Sequence, residues 1–286
     1  MAVQKTDIYV YADWHGLEGP MLMGILSAHQ AKGRKAFSFS YDNQWLKSGH
    51  QYHLYAGPQF ANEKENFGLF LDSMPDTWGR TLMKRREAQQ AKLKGEKAKI
   101  LYDIDFLLGV YDETRMGALR FKLDLEGEFL DNDIEKATPP WSTVRELQQA
   151  VVHYENDTDN EAITKWLQLL IAPGSSLGGA RPKANILDEN KHPWIAKFPS
   201  KNDTIDKAAW EYLAYRLAIE AGITMAECKI ERINGSYHTF FTKRFDREGS
   251  KRIHFASAMT MTGNKKKKKK SQPASYLDIV EFIQTH

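Results

Sequence analysis

The sequence has a single cysteine, Cys228, so an internal disulfide and a cysteine-cluster metal site are both excluded. No apolar run approaches the roughly 18 residues that a membrane span needs, and the N-terminus lacks the apolar core of a secretory signal. The nine histidines are scattered, and the one close pair, His50 and His53, has no accompanying carboxylate pattern for a metal. We therefore expect a cytoplasmic protein with no metal site of its own and no membrane partner.

A strong charge of one sign is also missing. The formal net charge is +3, but six lysines stand consecutively at 265–270, and without them 34 basic residues face 37 acidic ones, a balance of −3. The basic balance therefore comes from one local run and does not indicate a general nucleic-acid binder. Like-charge repulsion predicts a solvated, disordered loop at this run, with contact to DNA or acidic lipid as the alternative.

The first half of the sequence alternates between strand-like and helix-like segments. DIYVYADW, PMLMGILSA and KAFSFSYD are rich in β-branched and aromatic residues and predict antiparallel strands with one solvated face. YDIDFLLG and MGALRFKL predict a short helix and a further strand. The acidic segment EGEFLDNDIEKATPPW predicts a domain boundary near 135–141, and residues 142–172 predict one or two helices.

The segment PDTWGRTLMKRREAQQAKLKG predicts a longer helix, which Asp76 caps and Gly95 ends. This helix is strongly basic, and its cations are Arg80, Lys84, Arg85, Arg86, Lys92 and Lys94. Such a charge run is typical of a solvated face, with contact to nucleic acid or to an acidic partner as the alternative.

Residues 174–185 read GSSLGGARPKAN, a run of small residues that ends in a lysine. Where side chains are small, backbone N–H groups approach an anion closely, and a lysine neutralises its charge. The run therefore indicates a phosphate site, although its spacing is neither that of a Walker loop nor G-x-G-x-x-G. Taken alone, it is equally typical of a flexible surface loop.

The segments after this run favour the phosphate site. PKANIL and PWIAKFP flank the turn DENKH and predict a hairpin that ends in Lys197, as in the V-A-I-K strand of protein kinases. The next helix, IDKAAWEYLAYRLAIEAG, carries Glu211, which either holds Lys197 or lies in water at the rim of the helix. Its predicted buried stripe consists of Trp210, Leu213, Ala214, Leu217 and Ala218.

A second hairpin follows, because ECKIERI and SYHTFFTKRFDR flank the dipeptide Asn234-Gly235. The order of loop, hairpin with lysine, helix with glutamate and hairpin is the order of a protein-kinase small lobe. The nucleotide base is then expected against residues 242–245.

These motifs resemble the HipA-type serine/threonine kinases, the toxins of bacterial toxin–antitoxin pairs. The resemblance rests on SSLGGARPKANI, WIAKFPS, WEYLAYRLAIEAGI and FFTKRFDR with HFASAMTMTG, and in the first half on FSYDNQWL, SMPDTWGR, DFLLGV and MGALRF. It implies an α+β fold in three parts. These are a β-rich, partner-docking N-terminal subdomain over 1–140, a kinase-like small lobe with an antiparallel sheet and one helix over 141–255, and the start of a helical large lobe over 256–286.

The resemblance also implies an ATP site in which the glycine-rich run cradles the phosphates. Lys197 would bind the α- and β-phosphates while Glu211 orients it, and 243–245 would line the adenine. Ser176, with Ser175 second, matches a serine that is autophosphorylated, and its added charge of roughly −1.5 to −2 would repel ATP. The implied ATP-binding residues are Gly178, Gly179, Ala180, Arg181, Pro182, Lys183, Lys197, Lys243, Arg244 and Phe245.

The groups that perform phosphoryl transfer are missing from the sequence. Kinases hold the base and the Mg²⁺ ligands on a D-x-x-x-x-N loop and a later aspartate, and neither that spacing nor D-F-G occurs here. The last segment, SYLDIVEFIQTH, resembles an early helix of the large lobe. We therefore expect either a truncated chain or a natural short form whose catalytic half lies elsewhere, with no catalytic residues and no kinase activity of its own.

Three functions stay open at this point. The first is a HipA-type toxin that, when complete, uses ATP and Mg²⁺ to phosphorylate an aminoacyl-tRNA synthetase, glutamate-specific in the family, and so arrests translation. A DNA-binding antitoxin of the HipB type would neutralise it and link it indirectly to operator DNA. The second is a module that binds nucleotide and antitoxin without catalysis. The third is a nucleic-acid scaffold that works through the basic helix at 80–94.

Overall fold

The structure is a computed structural model of the chain. It describes residues 4–31, 34–49, 68–75, 77–133, 137–156, 169–170, 179–262 and 275–285. Within these residues the protein is α+β, with two four-stranded antiparallel sheets and a two-stranded ribbon, as the sequence predicts. The chain forms two compact units, which are described separately. The first unit comprises Met1–Ser73, Met116–Leu130 and Arg252–His286, and the second comprises Met74–Arg115 and Asp131–Lys251.

The first unit contains a sheet with the strand order β3-β2-β1-β4. Its strands are β1 Gln4–Ala12, β2 Met21–Ala31, β3 Arg34–Tyr41 and β4 Leu119–Lys122, all in antiparallel pairs. The three N-terminal strands and the strand at MGALRFKL are therefore confirmed. The helices of this unit are α1 Asn43–Lys47, α6 Ala258–Met261 and α7 Tyr276–Thr285, with a 3₁₀ segment at Gly68–Ser73.

The second unit contains a sheet with the strand order β5-β6-β8-β7. Its strands are β5 Lys183–Leu187, β6 Pro193–Lys197, β7 Cys228–Glu231 and β8 Thr239–Lys243, and the ribbon consists of β9 Arg247–Glu248 and β10 Lys251–Arg252. Its helices are α2 Thr77–Lys94, α3 Asp103–Leu108, α4 Val144–Asn156 and α5 Lys207–Glu220, with 3₁₀ segments at Asp112–Thr114 and Trp141–Thr143. Both predicted hairpins, β5-β6 and β7-β8, are present.

One face of this second sheet packs on the core of the unit. Alternate residues of the strands point to the same face, so the cross-strand neighbours Ala184, Ala196 and Phe241 lie together, and all three are fully buried. Helices α2 and α4 close this core, to which they contribute Trp78, Leu82, Val144, Leu147, Ala150, Val151 and Tyr154. The residues that alternate with these positions along the strands point to the opposite face of the sheet.

The helix predicted from PDTWGR onward is α2, and Gly95 ends it with a positive φ of 67°. Its predicted cap, Asp76, lies outside the described residues. Several other predicted features also lie outside them, namely His50, His53, Ser175, Ser176, Gly178 and the lysine run at 265–270. The division into 1–140, 141–255 and 256–286 stays a prediction, since the compact units combine non-contiguous segments.

The predicted buried stripe of α5 is wrong. Trp210, Leu213 and Leu217 are 62%, 47% and 57% exposed, whereas Ala208 is 2% exposed. The helix carries alanine, leucine and aromatic residues on every side, so apolar spacing alone does not select one face. Its rotation follows instead from polar contacts, a cap at Asp206 and the position of Glu211.

No helix in the described part of the chain has both the length and the apolar character needed to cross a membrane.

Candidate functional site

Two lysines lie side by side on the face of the second sheet that points away from the core. Lys183 of β5 is the register partner of Lys197 of β6, and Lys197 is in turn the partner of Phe240 of β8. Residues directly opposite each other on neighbouring strands point to the same face of a sheet. Two ammonium groups and one aromatic ring are thus directed to one surface, which we call the lysine face.

Lys197 donates a hydrogen bond to the carboxylate of Glu211 on α5. The two side chains are 26% and 40% exposed, so the pair lies at an accessible surface. The ammonium also lies 5.1 Å from the centre of the Phe240 ring. An ammonium has three N–H donors, so the bond to Glu211 fixes its position and leaves donors for an anion.

Helix α5 is held in the orientation that brings Glu211 to Lys197. Asp206 caps the helix, because its side chain accepts a hydrogen bond from the Ala209 amide at 3.1 Å. The same carboxylate pairs with Nδ1 of His238 at 2.5 Å, which joins the start of α5 to the residues before β8. Burial raises the pKa of Asp206, but the bonds from His238 and Ala209 outweigh it, and the net pKa lies below its ordinary value.

Lys183 lies under the turn formed by 179–182. It is 6% exposed, and its Nζ lies 3.0 Å from the point that a Cβ on Gly179 would occupy. Gly179 has a φ of +84°, which side-chain-bearing residues rarely adopt. The turn therefore depends on glycine both for its backbone conformation and for the space that the Lys183 ammonium occupies.

Arg181 was predicted to bind phosphate, but its guanidinium is engaged elsewhere. It forms two hydrogen bonds with the carboxylate of Asp203, at 3.0 and 2.6 Å. The Asp203 side chain is only 1% exposed and also accepts from the Ser200 amide at 2.9 Å. Burial raises the pKa of Asp203, but the bonds from Arg181 and Ser200 lower it by more, so the carboxyl titrates below its ordinary range.

The remaining described residues of the run form the base of the turn. The carbonyl of Pro182 accepts a hydrogen bond from the Phe198 amide at 2.9 Å, which extends the pairing of β5 and β6 by one step. Pro182 is buried and Ala180 is exposed. The turn thus projects from the end of the hairpin, next to the lysine face.

Trp78 of α2 is a site residue that our sequence reasoning missed. Its backbone N–H donates to the Gly179 carbonyl at 2.9 Å, and its indole Nε1–H donates to the Lys183 carbonyl, also at 2.9 Å. The side chain is 5% exposed and packs edge-on against Tyr154. The motif SMPDTWGR, which supports the resemblance, contains this residue, but nothing in the sequence links it to a turn 100 positions away.

The segment expected to line adenine is only partly available. Arg244 is 4% exposed, and its guanidinium bonds the Asp246 carboxylate at 2.8 and 2.6 Å and the Asn185 side chain at 3.0 Å. This side chain therefore stabilises the unit internally, and the expected lining of adenine by residues 243–245 stays a prediction. Phe245 is 58% exposed, and Nζ of Lys243 lies 3.9 Å from Oε2 of Glu227.

Asp246 is a second residue that the sequence did not single out. Its side chain is 1% exposed and lies between Arg244 and Arg247, with N–O distances of 2.6 and 2.7 Å. Both arginines also donate to the carbonyl of Arg115. The network fixes the chain directly after β8.

Among the described residues, no group of three or more His, Cys, Asp or Glu side chains lies close enough to hold a metal ion. Mg²⁺ prefers carboxylate and water oxygens, and the one carboxylate shown at the lysine face, Glu211, is paired with Lys197. This donor set fits an anion and does not fit Mg²⁺.

Comparison with known families supports the resemblance found in the motifs. Residues 175–286 match the family model of the HipA-like C-terminal domain. No curated protein matches the chain. The matched region contains Lys183, Lys197 and Glu211, whereas Trp78 precedes it.

Proposed function

We propose that this chain, whose residues 175–286 match the HipA-like C-terminal domain, binds ATP on the lysine face. The observation that carries the proposal is the pairing of Lys183 with Lys197 beside the Gly179 turn, with Glu211 holding Lys197. A strand lysine held by a glutamate of the next helix, beside a glycine-containing turn, is the arrangement by which a kinase small lobe holds nucleotide phosphates. The small-lobe assignment of the second sheet and α5 is part of the same proposal.

The charges of the lysine face favour a polyphosphate over a singly charged ligand. Like charges directly opposite each other on neighbouring strands are destabilising. Glu211 is paired with the Lys197 ammonium. A triphosphate supplies several negative charges at once and binds best where donors are already fixed in position.

The residues of this chain bind and orient the nucleotide but do not transfer phosphate. The sequence has no D-x-x-x-x-N spacing to supply a base, and the described donors do not fit Mg²⁺. Mg²⁺ would neutralise the phosphate charge during transfer. In a HipA-type kinase toxin, a catalytic base and Mg²⁺ ligands of this kind would carry out the transfer.

The biological role that follows is that of a toxin component. The substrate would be an aminoacyl-tRNA synthetase and the inhibitor a DNA-binding antitoxin of the HipB type, docked on the N-terminal subdomain. Ser176, or Ser175, would be the autophosphorylated position. These assignments come from the family and are part of the proposal.

The scaffold alternative receives less support from the structure. Arg80 of the basic helix α2 is paired with Asp103 at 2.9 Å, and Arg85 lies 4.3 Å from the Tyr154 ring. Two of the six cations of this helix thus also contact other groups of the same unit.

Isothermal titration of the protein with ATP tests the proposal. Wild-type protein is expected to bind, Lys197→Ala to lose most of the affinity, and Lys92→Ala to bind as wild type does, because Lys92 is an exposed cation of α2. Equal binding by Lys197→Ala and wild type would contradict the proposal. So would an absence of binding by the wild-type protein.

A further inference from the structure

Trp78 of the distant helix α2 forms hydrogen bonds to Gly179, which begins the turn at 179–182, and to Lys183, which directly follows it. The backbone N–H of Trp78 reaches the carbonyl of Gly179, and its indole N–H reaches the carbonyl of Lys183, each at 2.9 Å. A buried tryptophan usually finds a partner for its single N–H donor. Here the indole N–H binds the carbonyl of Lys183, the residue directly after the turn, while the backbone N–H binds the carbonyl of Gly179, its first residue.

A salt bridge between Arg181 and Asp203 holds the middle of the same turn. Arg181 bonds Asp203 through two nearly parallel hydrogen bonds, a geometry that fixes orientation as well as distance. Asp203 is itself held, because it accepts from the Ser200 amide and pairs with Lys207 at 3.2 Å. The guanidinium is therefore directed to a rigid, buried acceptor.

Hydrogen bonds and salt bridges that order the turn before the ligand arrives would favour anion binding. Glycine loses more backbone freedom on ordering than any other residue, so fixing its conformation costs conformational entropy. A turn that is already ordered binds without that cost, since its N–H groups do not have to be brought into position when the ligand arrives.

We infer that Trp78 and the Arg181–Asp203 pair are positioning residues, which hold the glycine turn in the conformation that receives phosphates. This inference rests on the proposed function. It adds that residues which do not contact the ligand position the turn of the same site. Arg181 acts through Asp203, and α2 becomes a support of the nucleotide site although it precedes the HipA-like C-terminal domain.

Two variants test this with ATP and adenosine as separate ligands. Trp78→Phe keeps the aromatic contact with Tyr154 and removes the indole N–H, and the loss of one hydrogen bond predicts a roughly two- to tenfold weaker affinity for ATP. Adenosine has no phosphates, so its affinity is expected to stay unchanged. Trp210→Phe is the matched control, because Trp210 is 62% exposed.

Asp203→Asn separates positioning from direct phosphate contact by Arg181. If Arg181 positions the turn, the loss of its buried partner is expected to weaken ATP binding about fivefold or more. If Arg181 binds phosphate itself, its release from Asp203 keeps or raises the ATP affinity, and the inference is overturned. Asp203→Asn also decides the question if Trp78→Phe does not fold.

The remaining outcomes are distinct. Unchanged ATP affinity in Trp78→Phe overturns the inference alone, and so does an equal loss of ATP and adenosine binding, which assigns Trp78 to folding. A wild-type protein that does not bind ATP overturns the proposed function and this inference with it.

Discussion

At the scale of single residues, Gly179 shows how closely the turn and the lysine face depend on each other. Its φ of +84° excludes most side chains, and a methyl group there would stand 3.0 Å from the Lys183 ammonium. Gly235, in the β7–β8 connection, has a similar φ of +78° but nothing within 4 Å of its missing Cβ. The two glycines thus share the backbone requirement, and only Gly179 has the steric one.

This difference predicts different results for the same substitution. Gly179→Ala and Gly235→Ala are each expected to lower the free energy of unfolding by about 1–2 kcal/mol, because alanine is strained at positive φ. Only Gly179→Ala is expected to weaken ATP binding, since its methyl group displaces Lys183. Urea unfolding and ATP titration of both variants measure this, and equal ATP affinities would contradict the role given to Lys183.

Asp203 predicts the acid response of the second unit. Its pKa is lower in the folded protein than in the unfolded chain, so its contribution to stability is present above the unfolded pKa of about 3.9. That contribution is lost as the pH falls through the lower folded pKa. The unfolding free energy, measured from pH 6 down to pH 2, is expected to fall less steeply for Asp203→Asn than for wild type. Parallel curves would show that Asp203 does not titrate as stated.

The sequence predicted where the backbone of the site lies better than it predicted what each side chain contacts. Lys197 and Glu211 meet because a strand and the helix after it place them together. Arg181 and Arg244 were expected at the nucleotide. In the structure, Arg181 forms a salt bridge with the buried Asp203, and Arg244 forms one with the buried Asp246. A motif fixes the path of the chain, whereas the partner of a long side chain depends on residues that pack nearby in space.

At the scale of elements, the rotation of α5 is the feature that the sequence did not predict. The apolar residues of this helix occur on every side of it, so hydrophobic spacing does not select one buried face. The contacts of Asp206 and Glu211 select the rotation that buries Ala208 and exposes Leu213. Polar anchoring thus decided between faces that hydrophobic spacing could not distinguish.

Substitutions on the two sides of α5 are expected to differ in their effect on stability. Leu213→Gln keeps a good helix former at an exposed position and is expected to change the unfolding free energy by no more than about 0.5 kcal/mol. Ala208→Leu adds volume at a buried position and is expected to cost about 1–3 kcal/mol. Thermal unfolding compares them, and a larger loss from Leu213→Gln would restore the stripe predicted from the sequence.

At the scale of the whole molecule, the described site belongs to one compact unit that is built from two stretches of sequence. Met74–Arg115 contributes Trp78, and Asp131–Lys251 contributes the turn, both lysines and Glu211. Their separation along the chain explains why the sequence placed the site in the second stretch and did not link Trp78 of the first stretch to it. The described contacts of Trp78 with the turn all lie within this unit.

The central claim is that Lys183 and Lys197 face the phosphates of ATP, and an acyl phosphate of ATP tests it most directly. A lysine amine near the phosphates attacks the acyl carbonyl, forms an amide and releases ATP, so peptide mass spectrometry identifies the lysine. We predict acylation of Lys183 or Lys197 that excess ATP prevents, with Lys92 unaffected by ATP. Acylation confined to other lysines, or not reduced by ATP, would contradict the account.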